Sequence, residues 1–248
     1  MKVIEYGIEN HAVIMLIHGG GLAPWHYKKE AELLKEQFHV VMPILDGHSG
    51  SDSHFISIED QAGKLIRYID EAFGGQVLFI GGLSLGGQIL LEMLSQRKNI
   101  CQFALAESVL ALPMKATAVL IKPAFSLCYP LIEKRWFAKL QFQSLHMNPS
   151  LFEAYYKDSA AIQKDDMTAF LRANAGYQIK TTLSDCQAKT LVLVGSKERG
   201  IMKKSAEMIS QTIKNARLEM LQGYYHGDLS LNHPDNYIEK ILRFIGKI

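Results

Sequence analysis

Six short apolar runs constrain the fold of this 248-residue chain more than any other feature. They are Ala12–Ile17, His39–Leu45, Gln76–Gly81, Gln102–Glu107, Thr190–Gly195 and Ala216–Leu221. Runs this short, rich in Val, Ile and Leu and mostly unbroken by polar residues, suit strands covered on both faces. Between them lie segments with helical periodicity, about Trp25–Gln37, Ile58–Phe73, Leu85–Arg97, Lys203–Thr212 and Pro234–Ile245. In Ile58–Phe73, the residues Ala62, Leu65, Ile66, Ile69 and Phe73 form one apolar stripe at helical spacing. Strand alternating with helix predicts an α/β fold: a mostly parallel sheet flanked by helices on both faces. Ligands of such sheets sit beyond the carboxyl ends of the strands. The loops after each run are therefore where chemistry is expected.

The alternation stops between Pro113 and Asp185. That stretch holds no convincing strand but carries Phe125, Tyr129, Trp136, Phe137, Phe142, Phe152, Tyr155, Tyr156 and Phe170 in helical-looking segments. A structureless loop of that length is improbable in a compact domain. The expectation is an inserted helical cap at 113–185, with the core formed by 1–112 and 186–248.

Bulk properties exclude several classes. Hydrophobic residues make up 48% of the chain and charged ones 21%, with a net charge of +2. The cations are scattered, unlike the clustered footprint of a nucleic-acid binder. No phosphate-cradling loop or strand-linked G-x-G-x-x-G occurs, so no nucleotide is expected. Cys101, Cys128 and Cys186 lie far apart and read as buried reduced thiols rather than as a zinc or redox motif. No metal-ligand spacing stands out, and neither a metal nor a cofactor is expected. Glu5, Glu9 and His11 interrupt any export-signal core near the first residue, and a cytoplasmic setting is expected. The most apolar long window, Ala116–Ile132, contains Lys122, Pro123 and Pro130 and fits a membrane span poorly.

Chemistry enters at Gly82-Leu83-Ser84-Leu85-Gly86, a G-x-S-x-G corner between an apolar run and a helical segment. A sharp strand-to-helix turn lifts the serine hydroxyl clear of the backbone at a helix N-terminus. Ser84 is the candidate nucleophile. A serine needs a base, and the base needs an orienting acid. His226 lies in a Gly/Tyr-rich loop after the last run and is the candidate base. Its rival His233 precedes Pro234 and reads as a helix-start residue. Glu198 is the only carboxylate in the loop Ser196–Gly200 and is the candidate acid, with Glu107 at the end of the preceding run as the alternative. Two backbone N–H groups must face a developing oxyanion. Leu85 supplies one. The other is expected from His18-Gly19-Gly20-Gly21, with Gly20 the first candidate and Gly21 the next. His18 is expected to shape that loop. Asp46–Asp52 reads as a loop held by local side-chain-to-backbone bonds.

These loops, in this order after these strands, resemble those of the α/β-hydrolase family over nearly the whole chain. "DGHSGSD" resembles that family's D-x-x-G-x-G-x-S loop, and "GLSLGG" looks like its capped esterase and lysophospholipase-like members. The resemblance implies a Ser84–His226–Glu198 triad with Gly20 and Leu85 as oxyanion donors. Three departures stand out, the first being that "HGGG" at His18–Gly21 resembles one esterase branch whereas "GLSLGG" looks more like the compact capped members. Glu occupies the acid position where Asp is more usual, and the leading hairpin is short or missing.

The activity implied is a serine hydrolase cleaving small-molecule carboxylic esters through an acyl-enzyme. The aromatic, Leu-rich cap suggests an apolar acyl part. Alternatives on the same fold are a lysophospholipase, in transient lipid contact through its cap near Phe125 and Leu127, a thioesterase or a C–C bond hydrolase. From another class comes a non-catalytic ligand-binding protein.

Overall fold

The computed structural model describes residues 1–247, and of residues 126–128 the backbone alone. Among these, seven strands form one sheet: β1 (Val3–Tyr6), β2 (Val13–Ile17), β3 (His39–Pro43), β4 (Val77–Leu83), β5 (Cys101–Glu107), β6 (Lys189–Gly195) and β7 (Ala216–Leu221). Their order across the sheet is β1-β3-β2-β4-β5-β6-β7. β1 runs antiparallel to β3, and every other pairing is parallel.

The helices are α1 (Lys28–Leu34), α2 (Ile58–Phe73), α3 (Leu85–Gln96), α4 (Lys115–Ile132), α5 (Arg135–Ser144), α6 (Phe152–Ala161), α7 (Lys164–Gly176), α8 (Gly200–Thr212), α9 (Asp228–Asn232) and α10 (Pro234–Phe244). The core divides at the sheet as the two-residue period of a strand requires. Met15 and Ile17 of β2 face a cluster with α2 and α3, whereas Ile14 and Leu16 face one with Tyr27, α1 and α10. Both sets are apolar, so the run shows no alternation. In α2, the expected stripe Ala62, Leu65, Ile66 and Ile69 is buried, and Phe73 is partly so. Ser57 caps its start by accepting a hydrogen bond from the Asp60 N–H at 3.1 Å, and Gly74 ends it with φ 67°.

Several boundaries move. The segment expected as a helix from Trp25 is a 3-10 turn, Pro24–Tyr27, followed by the short α1. β4 extends two residues beyond its apolar run, to Leu83. β1 was not expected: "VIEY" is an edge strand, half wet and polar in part, and lacks the signature of a buried run. The leading hairpin is represented by this one strand.

Four helices, α4–α7, and two 3-10 turns occupy the chain between β5 and β6, with no strand among the described residues. α4 packs on α7, α5 on α6, and α7 reaches α2. Pro123 and Pro130 lie inside α4. No helix of the described residues is long and apolar enough to cross a membrane. Cys101 and Cys186 are buried and free. The side chains of Leu127 and Cys128 lie outside the described residues.

Glu30 of α1 is almost fully buried, and its Oε1 has no hydrogen-bond partner among the described residues. Burial raises its pKa from the ordinary 4.5 to about 8, and nearby Glu107 adds to the rise. The folded protein therefore holds this proton more tightly than the unfolded chain, so stability falls as pH rises from about 4.5 to about 8. Glu30→Gln should melt above the natural protein at pH 8.5, with the gap shrinking towards pH 5. Thermal melts at the two pH values check this, and equal gaps would contradict it.

Candidate functional site

Ser84 joins β4 to α3 with φ 52° and ψ −112°, a conformation that costs energy for any residue with a side chain. The glycines around it are dictated by space. A β-carbon at Gly82 would lie 2.5 Å from the Gly86 carbonyl oxygen, one at Gly86 2.2 Å from that of Ile17, and one at Gly87 2.3 Å from Val109 Cγ2. The Ser84 N–H donates to the Glu107 carbonyl at 2.9 Å, continuing the sheet ladder into the turn. Ser84 thus stands half-exposed at the N-terminus of α3.

Glu198 and His226 meet as expected. His226 Nδ1 lies 2.8 Å from Glu198 Oε2. Glu198 Oε1 accepts from the Gly195 N–H and from the Ser108 hydroxyl, each at 2.8 Å. Burial by itself would raise the Glu198 pKa, but the hydrogen bond and charge of His226, with the Gly195 and Ser108 donors, outweigh it and hold the carboxyl below its ordinary range. The glutamate side chain is 1% exposed and that of His226 is 43% exposed, so the ring reaches from a buried carboxylate to an open surface.

The histidine loop packs on the residue before the serine: a β-carbon at Gly227 would lie 2.9 Å from Leu83 Cδ1. Ser84 and His226 make no hydrogen bond to each other among the described residues. Catalytic hydrogen bonds commonly close only around substrate.

Glu107 takes a different place. It is buried, its Oε1 accepts from the Ser230 N–H at 3.2 Å, and burial raises its pKa to about 7. It holds the start of α9 and makes no hydrogen bond to His226. His233 sits between α9 and α10, 3.6 Å from Asp228. Sequence reasoning missed Ser108. A serine directly after a strand has no distinctive spacing, and only the fold brings it to Glu198.

On the other side of Ser84, a β-carbon at Gly20 would lie 3.3 Å from Leu85 Cδ2 and 3.4 Å from Phe170 Cε2. The two expected oxyanion donors therefore belong to segments in contact. His18 shapes this loop: it is fully buried, its Nε2 accepts from the Leu45 N–H at 3.2 Å, and its Nδ1 lies 2.9 Å from the Gly19 carbonyl oxygen. Burial, followed by the neighbouring His48, pushes its pKa well below the usual value. The ring stays neutral, as an acceptor at Nε2 must. In the Asp46–Asp52 loop, Asp46 pairs with Lys64 at 2.6 Å, and His48 Nδ1 lies 3.0 Å from the Asp46 carbonyl oxygen. Among the described residues, no three His, Cys, Asp or Glu side chains converge as metal ligands.

The helical insertion is tied to these loops. Asp158 of α6 accepts from Trp25 Nε1 and from the Ser49 hydroxyl, each at 2.8 Å. Asp166 of α7 accepts from the Phe55 N–H at 2.9 Å. The His146 ring stacks on Tyr225, with centroids 3.9 Å apart, and Asn232 Nδ2 donates to the His146 carbonyl at 2.8 Å. Leu83 lies in an apolar cluster with Leu22, Leu231 and, from the insertion, Phe142, Met147 and Tyr155. A cleft of about 530 Å³ lies along the edge of this cluster at Trp25, Leu151 and Leu231, but its other walls include Lys28, Lys29 and Glu32, and neither Ser84 nor His226 lines it.

The comparisons agree with this architecture. The structure aligns with an esterase from Exiguobacterium antarcticum at a TM-score of 0.83 and 16% identity, covering 98% of this chain and 94% of that one. It aligns with a thermophilic esterase from Thermogutta terrifontis at 0.81 and 18% identity, covering 99% and 93%. An enol-lactonase from Burkholderia xenovorans aligns at 0.77 and 15% identity, covering 99% and 96%. At such identities these likenesses show the fold. No curated protein sequence matches the chain significantly. The model of the family described as serine aminopeptidase, S33, matches residues 8–230. With the seven-stranded, mostly parallel sheet, that match makes this chain a member of the S33 family of α/β hydrolases.

Proposed function

We propose that this hydrolase cleaves small-molecule carboxylic esters with an apolar acyl part, through an acyl-enzyme on Ser84. The observation that carries the reading is the Glu198–His226 hydrogen bond of 2.8 Å, held beside a strained serine turn. Glu198 fixes the imidazole with Nδ1 as the donor, which leaves Nε2 free to take the Ser84 proton. Ser84 Oγ then attacks the carbonyl carbon. The N–H groups of Gly20 and Leu85 receive the oxyanion, reinforced by the positive end of α3. His226 returns the proton to the leaving alkoxide, and water repeats the sequence to release the acid. The cluster around Leu83 supports an apolar acyl group, and the helical insertion serves as the cap over it.

A second reading, lysophospholipid hydrolysis at a membrane surface, draws support from the insertion. Val119 and Leu120 on α4 and Trp136 and Leu140 on α5 are 61–72% exposed. Phe125, expected from sequence as a lipid contact, is only partly exposed and packs on the core instead. Val119 and Leu120 are the positions to change. If Val119→Ser/Leu120→Ser abolishes co-sedimentation with phospholipid vesicles and leaves hydrolysis of a short soluble ester intact, this reading gains; vesicle binding absent from the natural protein removes it.

Fluorophosphonate labelling located by mass spectrometry tests the first reading, with modification expected at Ser84 alone. Ser84→Ala should lose kcat by about 10⁶-fold, and near-normal turnover in that variant would end the proposal. Labelling absent from a folded protein would favour the ligand-binding alternative.

The acid has its own comparison. Glu198→Gln should cost about 10⁴-fold in kcat, because the amide no longer holds the imidazole as an ion partner. The loss at Glu107→Gln should be far smaller. Kinetics of the two variants, with circular dichroism to verify folding, decide it, and the reverse ranking would move the acid to Glu107.

A further inference from the structure

Ser108 directly follows β5, is 2% exposed, and has φ 54°. Glycine or asparagine suits that left-handed conformation, and serine is held there at a cost. The hydroxyl gives the reason. Ser108 Oγ donates to Glu198 Oε1 at 2.8 Å and accepts from the Gly227 N–H at 3.0 Å. Its own N–H donates to the Leu193 carbonyl at 2.9 Å, anchoring the turn on β6. One buried oxygen therefore bridges the acid and the backbone directly after His226.

We propose that Ser108 is a positioning residue: its hydroxyl holds Glu198 and the His226 loop in mutual register. The proposal rests on the Ser84–His226–Glu198 reading above. Two donors, the Ser108 hydroxyl and the Gly195 N–H, occupy Glu198 Oε1 and leave Oε2 for the imidazole. Glutamate carries one more methylene than aspartate and so has more rotamers in which to lose that geometry. The second donor on Oε1 removes the excess freedom. The bond from Gly227 sets the height of the imidazole over the serine turn through the chain itself. Glu107 and His226 are the charged or titratable neighbours that act on Glu198, and Ser108 contacts neither side chain by a hydrogen bond.

Ser108→Ala and Ser108→Gly test this together with a double-mutant cycle. The glycine variant removes the hydroxyl and relieves the backbone, so it keeps the test open if the alanine variant folds poorly. Each should lower kcat about 10- to 100-fold with KM changed by less than about twofold, since a hydrogen bond to a charged group is lost. In the Glu198→Gln background the same substitutions should add little, because their effect passes through Glu198. A Ser108→Gly protein within about threefold of natural kcat, a loss confined to KM, or full additivity with Glu198→Gln would overturn the proposal. Ser84→Ala separates the two failures. A dead Ser84→Ala beside a fully active Ser108→Gly removes Ser108 alone, whereas an active Ser84→Ala removes the whole site reading and this role with it.

Discussion

The contact on which the structure turns is the one between Gly86 and the carbonyl oxygen of Ile17. A single β-carbon there would come within 2.2 Å of that oxygen. The first turn of α3 therefore lies directly against the end of β2, and the chain leaving β4 has one route available. That route forces Ser84 to φ 52° and leaves it half-exposed at the start of α3. It also brings the loop after β2, with Gly20, against Leu85. Close packing thus sets Ser84, the N-terminus of α3 and the Gly20 loop at once, the three groups on which the proposed chemistry rests. Strain stored at one residue is offset by the burial of β2, β4 and α3 around it.

Much of this was legible in the chain. The central strands announce themselves because both faces are covered, so their runs are apolar throughout, as in Val13–Ile17. The glycines flanking Ser84 mark a crowded corner, and the order of the loops follows from the alternation of strand and helix. What stayed hidden is instructive. β1 half faces water and carries Glu5, so it lacks the buried signature. The preference for Glu198 over Glu107 could be ranked but not resolved, since both carboxylates stand at strand ends. Only the register of β5 beside β6 sends one to His226 and the other to Ser230. Ser108 was invisible for a related reason: its partners are 90 and 119 residues away.

Two neighbouring residues at the end of β5 show how a parallel sheet gathers distant loops. The Glu107 carbonyl receives the Ser84 N–H, and its carboxyl receives the Ser230 N–H. Ser108 reaches Glu198 and Gly227. Segments separated by more than a hundred residues are thereby pinned to one central strand. Such an arrangement tolerates a long helical insertion after that strand, because the pins are made before the chain departs.

The insertion is fastened back by His146 on Tyr225, by Asn232, and by the shared grip of Asp158 on Trp25 and Ser49. Tyr225 immediately precedes His226, and Trp25 continues from the Gly20 loop. Any excursion of these helices must either sever those ties or drag the imidazole and the glycine loop along. Insertion and core are thus mechanically geared: the placement of α5 and α6 and the placement of the loops carrying Gly20 and His226 are set by the same few contacts.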